Sequence, residues 1–157
     1  MFEAKDIYEN VFPMLNRHSL LVTVMSMFEL RFIKLCDWIN THFNLNPSLK
    51  RDKGSLLKQI RTYLINKAGL KFNTKKEEAW NELLALQSIR NNIIHNYGKY
   101  ESKNVFIDKY IGSNKNISIN VSNEFIFNHE FLKDLVPNFK TLCKELQEAM
   151  RDKSNNN

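Results

Sequence analysis

The chain has 157 residues, 43% of them hydrophobic and 25% charged, enough for one ordinary globular domain with a core that needs no staples. Only 4 glycines and 3 prolines occur, which excludes a collagen-like chain and argues against a turn-rich all-β fold or a disordered one. Two cysteines, Cys36 and Cys143, stand far apart in no metal-ligand spacing, so a reduced compartment is expected and a disulfide scaffold is excluded. The net charge is +6. Nine bases and one acid fall between Lys50 and Lys76, so that this segment carries +8 and the rest of the chain sums to −2. A polyanion would meet the chain there.

Helical periodicity governs the first two thirds of the chain. A short helix is predicted from Ala4 to Asn16, with Pro13 as its kink or end. A long one follows from Ser19 to Phe43, its apolar stripe being Leu21, Val24, Met25, Phe28, Phe32, Leu35, Ile39 and Phe43. Asn44 to Ser48 reads as a break. Ser55 to Ala68 forms an amphipathic segment with Leu56, Leu57, Ile60, Leu64 and Ile65 inward and Gly69 behind it as a cap. Thr74-Lys75-Lys76-Glu77 fits a capping box that opens a helix running through Trp80, Leu83, Leu84, Leu86, Ile89 and Ile93 to Tyr97, with Gly98 as the stop.

The pattern changes to period two between Asn104 and Asn128. Val105–Ile107, Ile117–Val121 and Glu124–Phe127 are candidate strands, and Gly112-Ser113-Asn114 supplies a turn, giving a small hairpin or three-stranded flap. A last helix is predicted over 130–151 with Phe131, Leu135, Phe139, Leu142 and Leu146 inward and Pro137 as an interruption. The expected fold is mainly α: a bundle of about five helices with a small β-hairpin inserted before the last. It forms a single domain over residues 1–153, with a flap at 104–128 and a frayed tail at 154–157. The most apolar run, Leu20 to Leu30, contains Glu29 and is too short and too charged to span a membrane. The N-terminus has no basic start followed by an apolar core, so a cytoplasmic location without membrane association is expected.

His18, His42 and His129 lie near predicted helix ends and read as capping or surface residues. No metal-ligand spacing, Gly-rich phosphate loop or nucleophile elbow occurs, so neither a metal nor another cofactor is expected. His95 has different neighbours. Arg90-Asn91-Asn92-Ile93-Ile94-His95-Asn96-Tyr97 gathers a permanent cation, amides, an imidazole and a phenol within two helical turns. Arginine grips phosphate oxygens with a fork of donors, and histidine takes and gives protons near neutral pH. Together they suit RNA cleavage without a metal: the imidazole deprotonates a ribose 2′-hydroxyl, which attacks the adjacent phosphorus while the guanidinium stabilises the charge building on oxygen.

Arg90, Asn91, His95 and Tyr97, in the order Arg-Asn-x-x-x-His-x-Tyr, resemble the Arg-x4–6-His motif of the HEPN superfamily. The late motif helix of a small helical bundle agrees with that family's setting. The resemblance implies a metal-independent endoribonuclease that leaves 2′,3′-cyclic phosphate and 5′-hydroxyl ends, of the toxin, abortive-infection or antiphage kind. It further implies a homodimer whose two motifs share one composite site. His95 is then the proton-transfer residue and Arg90 the phosphate clamp, with Asn91 as the orienting amide and Asn96 as support. Tyr97 matches the tyrosine that nucleotidyltransferase antitoxins modify with AMP, although a flap at 104–128 departs from those compact all-helical toxins. A core-capping role for Tyr97 stands beside that reading. Such an antitoxin, or a defence-system component, is the implied partner.

On a regular helix Arg90 and His95 point about 140° apart and lie about 7.5 Å apart along the axis, so a second copy or a local distortion before Gly98 must bring them together. Asn91 and His95 are four apart and share a face. Glu29 is a weaker candidate to pair with Arg90, a surface role being the simpler one. Lys58, Arg61 and Lys67 are expected on the exposed side of their helix as sequence-independent contacts to an RNA backbone. The alternative reading is a helical module of the same family that binds RNA or protein without cutting. A structural dimerisation protein is a third.

Overall fold

The computed structural model of the chain describes residues 4–45, 48–50, 52–71, 74–101 and 103–155. The N-terminus opens on a helical turn, α1 (Ala4–Asp6), and a π-helical turn (Ile7–Val11) that feeds directly into α2 (Phe12–His42). Pro13 therefore ends nothing: helical backbone precedes it and continues past it, and it follows directly on the π-helical turn, whose last bond runs from the Phe12 N–H to the Ile7 carbonyl. The predicted stripe on α2 is inward, with Leu21, Met25, Phe32 and Ile39 buried. Next come α3 (Leu56–Asn66), α4 (Thr74–His95), α5 (Val105–Ser113), β1 (Ile117–Ile119), β2 (Phe125–Phe127) and α6 (Phe131–Asn155). The fold is mainly helical, with a two-stranded antiparallel hairpin before the last helix. Among the described residues no helix is long and apolar enough to cross a membrane.

Local chemistry sets the helix ends. Ser55 caps α3, its hydroxyl accepting from the Lys58 N–H at 3.3 Å. Beyond the other end, Gly69 at φ 65° lets the Leu70 N–H reach the Leu64 carbonyl. Tyr63 is buried on α3, whereas Ile65, expected inward, is exposed. At the start of α4 the Thr74, Lys75 and Lys76 side chains lie outside those described, and the Glu77 carboxylate pairs with Arg61. Five consecutive residues of α4, Leu83 to Gln87, are buried, so every face of the helix is covered there. Pro137 lies inside α6, which continues past it to Asn155; Asn156 and Asn157 fall outside the described residues.

The first predicted strand is a helix. Val105-Phe106-Ile107 has a strand-like composition, but the Asn104 side chain accepts from the Phe106 and Ile107 N–H groups at 3.0 and 3.3 Å and caps α5. Gly112 and Ser113 consequently belong to the end of α5, and the hairpin turn lies at Asn120–Asn123. There Asn120 Oδ1 accepts from the Ser122 and Glu124 N–H groups, and Asn123 adopts φ 59°. Strand register pairs Ile117 with Phe127 and Ile119 with Phe125. The third place beside the hairpin is taken by the residues that follow α4. Lys99 bridges Glu124, and the Tyr100 N–H reaches the Asn123 carbonyl at 2.7 Å.

The chain divides into two compact units, whose boundaries fall within α2, α4 and α6. The first unit holds residues 1–25 and 85–136. Its core includes Leu21, Ile89, Ile107, Phe125, Phe127 and Phe131; the Phe127 and Phe131 rings stack with centroids 4.3 Å apart. The second holds residues 26–84 and 137–157. Its core gathers Phe32, Ile39, Leu57, Leu64, Trp80 and Leu146, with Phe32 and Trp80 rings 5.3 Å apart.

Candidate functional site

The Arg-Asn-x-x-x-His-x-Tyr motif closes α4 in the first unit. The helix is regular through His95 and changes only after it, so Arg90 and His95 keep a divergence of about 140° around the axis. No distortion before Gly98 brings them together within one helix. Arg90 is half-buried, whereas Asn91 and His95 are exposed on one face. Among the described residues the structure gives no hydrogen bond to the Asn91 or His95 side chain, so the amide does not orient the imidazole here. The bonded amides are their neighbours. Asn92 Nδ2 donates to the Ser88 carbonyl at 2.9 Å, and Asn96 Nδ2 donates to Asn92 Oδ1 at 3.1 Å. Asn96 thus bonds within the helix end.

Beyond His95 the backbone turns sharply. Tyr97 and Gly98 both lie in the left-handed region, at φ 55° and 80°. The Asn92 carbonyl accepts from the N–H groups of both Asn96 and Gly98, at 2.9 and 3.1 Å. Tyr97 is 91% exposed, so it does not cap the core. A left-handed tyrosine costs about 1–2 kcal/mol relative to a right-handed one, and no burial of its ring offsets that cost.

The turn is held by a residue that the sequence does not mark. His18, seven residues into α2, is 7% exposed and not at a helix end. Its Nε2–H donates to the Phe125 carbonyl at 2.9 Å, and its ring meets Phe127 edge-on at 5.1 Å. The Phe125 N–H in turn donates to the Gly98 carbonyl at 3.0 Å. Arg17 Nη1 reaches the Phe127 carbonyl at 3.0 Å, so two consecutive side chains of α2 satisfy the outer edge of β2. Burial pushes the His18 imidazole below its ordinary value, against the opposing influence of the Phe125 carbonyl and the Glu124 charge. The other two histidines are on the surface as expected: His42 stacks on Trp38, and His129 contacts Glu130.

The remaining candidates lie in the second unit. Lys58 is exposed on α3, and Lys67 is exposed just past its end. Arg61 is not: it is partly buried and paired with Glu77 at 3.0 Å. Arg51 and the side chains of Lys75 and Lys76 fall outside the described residues. Glu29 is buried, at 8% exposure, and has no surface role. Among the described residues no three His, Cys, Asp or Glu side chains gather as a metal site would require.

No family model matches the chain, and neither a curated protein nor a solved structure matches it.

Proposed function

We propose that the chain is a cytoplasmic, metal-independent RNA endonuclease of HEPN type, acting as a toxin or antiphage effector. The observation that carries the reading is His95 itself. It is an exposed imidazole on the last turn of a buried helix, sharing its face with exposed Asn91 and seated on a turn locked by buried His18. Rigid support beneath an exposed acid–base group is what proton transfer at a fixed phosphate requires.

The chemistry follows from the side chains. The His95 imidazole accepts the 2′-hydroxyl proton, and the freed oxygen attacks the adjacent phosphorus. The P–O5′ bond breaks as the imidazolium of a second copy gives its proton to the leaving oxygen, and a 2′,3′-cyclic phosphate remains. Arg90 neutralises charge on the non-bridging oxygens. Because Arg90 and His95 diverge on one helix, the composite site is formed by two copies. Apolar side chains exposed in the same unit suit that association: Ile94 beside His95, and Tyr8, Phe12 and Leu15 on the N-terminal helix. Tyr97, standing out beside the site, is accessible to a modifying antitoxin.

The unbonded Asn91–His95 pair favours one second reading, a module that binds RNA without cutting. His95→Ala separates the two. The substitution removes an exposed side chain, so the melting temperature stays within a degree or two while cleavage in EDTA is abolished. Wild-type protein that binds RNA and never cuts it supports the module instead.

A further inference from the structure

From the shape and charge of a groove in the second unit we infer that α3 and the segment before it form a binding site for single-stranded RNA, holding one nucleotide with its flanking phosphates. The groove measures about 510 Å³ and is lined by Leu49, Lys50, Lys58, Tyr63, Asn66 and Lys67 among others, with no carboxylate among the described residues of its lining. That volume lies within the range of small-molecule sites, roughly 300–1,000 Å³.

Its construction is specific. Gln59 on α3 makes a paired contact with the Asp52 backbone, accepting from the N–H at 3.1 Å and donating to the carbonyl at 2.8 Å. This ties the preceding loop to the helix. Lys58, in the first turn of α3, and Lys67, the residue that caps its C-terminus, both line the groove. Lys50 and Lys67 are exposed and make no ion pair among the described residues. Leu49, the edge of buried Tyr63 and the lysine stems supply an apolar floor between the cations. A bare phosphate would use the lysines and leave that floor unused. A nucleotide uses both, its base on the floor and its phosphates on the rim.

The choice of RNA as ligand rests on the function proposed above; the groove and its charge do not. The test uses His95→Ala full-length protein, which holds RNA without cutting it, and a fluorescein-labelled oligouridylate of twelve nucleotides in EDTA. Lys50→Glu with Lys67→Glu weakens binding by roughly tenfold or more and flattens its salt dependence, as loss of two phosphate contacts requires. Lys109→Glu with Lys140→Glu changes net charge equally on exposed positions elsewhere and leaves binding within about twofold. UMP displaces the labelled RNA better than inorganic phosphate does, and 4-thiouridine RNA photo-crosslinks within residues 48–67. Equal weakening by both double reversals, equal displacement by phosphate, or crosslinks confined elsewhere overturns the inference. Groove-dependent binding by a wild-type protein that never cuts RNA upholds the inference and removes the nuclease reading. Cleavage with groove-independent binding does the reverse.

Discussion

A β-carbon added to Gly98 would lie 3.0 Å from His18 Cε1 and 3.4 Å from His18 Nδ1. The ring cannot retreat easily, because its Nε2–H is bonded to the Phe125 carbonyl and it meets Phe127 edge-on. Two positions eighty apart in the chain therefore fix where α4 ends and where His95 stands.

Gly98→Ala combines this clash with a φ of 80° that L-residues rarely adopt. It should destabilise the protein by about 2 kcal/mol, read as a lower urea midpoint at unchanged slope. An unchanged midpoint would mean that the His18 ring does not sit against the turn.

His18 also gives stability a pH dependence of known sign. Its folded-state pKa is lowered by burial from the ordinary 6.5, so between that value and its folded-state pKa the unfolded chain binds the proton and the folded one does not. Stability falls as pH drops through this window, by at most about 1.4 kcal/mol per pH unit from this group. His18→Gln, whose amide can still donate to the Phe125 carbonyl, should flatten the curve below pH 6.5 relative to wild type. Parallel wild-type and variant curves would show that His18 is not the group responsible.

Tyr97 predicts opposite effects on stability and function. Its left-handed φ of 55° is strained for tyrosine and ordinary for glycine, and its ring is exposed. Tyr97→Gly should stabilise the fold by about 1 kcal/mol. The same variant should lower RNA cleavage if the phenol contributes to the site. A gain in stability with full activity limits Tyr97 to a role outside the reaction.

The two thiols should differ in reactivity. Cys36 is buried, and burial together with the neighbouring Asp37 charge pushes its pKa up to about 12. Cys143 is exposed. Partial burial pushes the Cys143 thiol up as well, which slows its attack without blocking access. One thiol per folded chain should react with Ellman's reagent at pH 8, and the second only after denaturation. Two fast equivalents would contradict the packing of Cys36.

The motif helix was legible because its signals are local. The spacing of Trp80, Leu83, Leu86 and Ile89 marks a buried helix, and Gly98 marks its end within three residues of the true terminus. The hairpin was legible at Ile117–Ile119 by alternation and at Phe125–Phe127 as a short aromatic and β-branched run. Val105–Ile107 misled because β-branched and aromatic residues suit a strand, and one Asn104 side chain bonding forward to two N–H groups decided for helix. The role of His18 was illegible for a physical reason: its bonding partner lies 107 residues away, brought near only by folding. Arg61 likewise reads as a free cation on α3 until Glu77, sixteen residues on, is folded against it.

Attack by a ribose 2′-hydroxyl driven by His95 without a metal would require that hydroxyl and proceed in EDTA. The most direct measurement compares an end-labelled RNA with the same strand carrying 2′-O-methyl groups, incubated in EDTA with wild-type and His95→Ala protein. Wild type alone should cleave the unmodified RNA, leaving 2′,3′-cyclic phosphate and 5′-hydroxyl ends, and the methylated strand should stay intact. Cleavage of the methylated strand, or undiminished cleavage by His95→Ala, would contradict that mechanism.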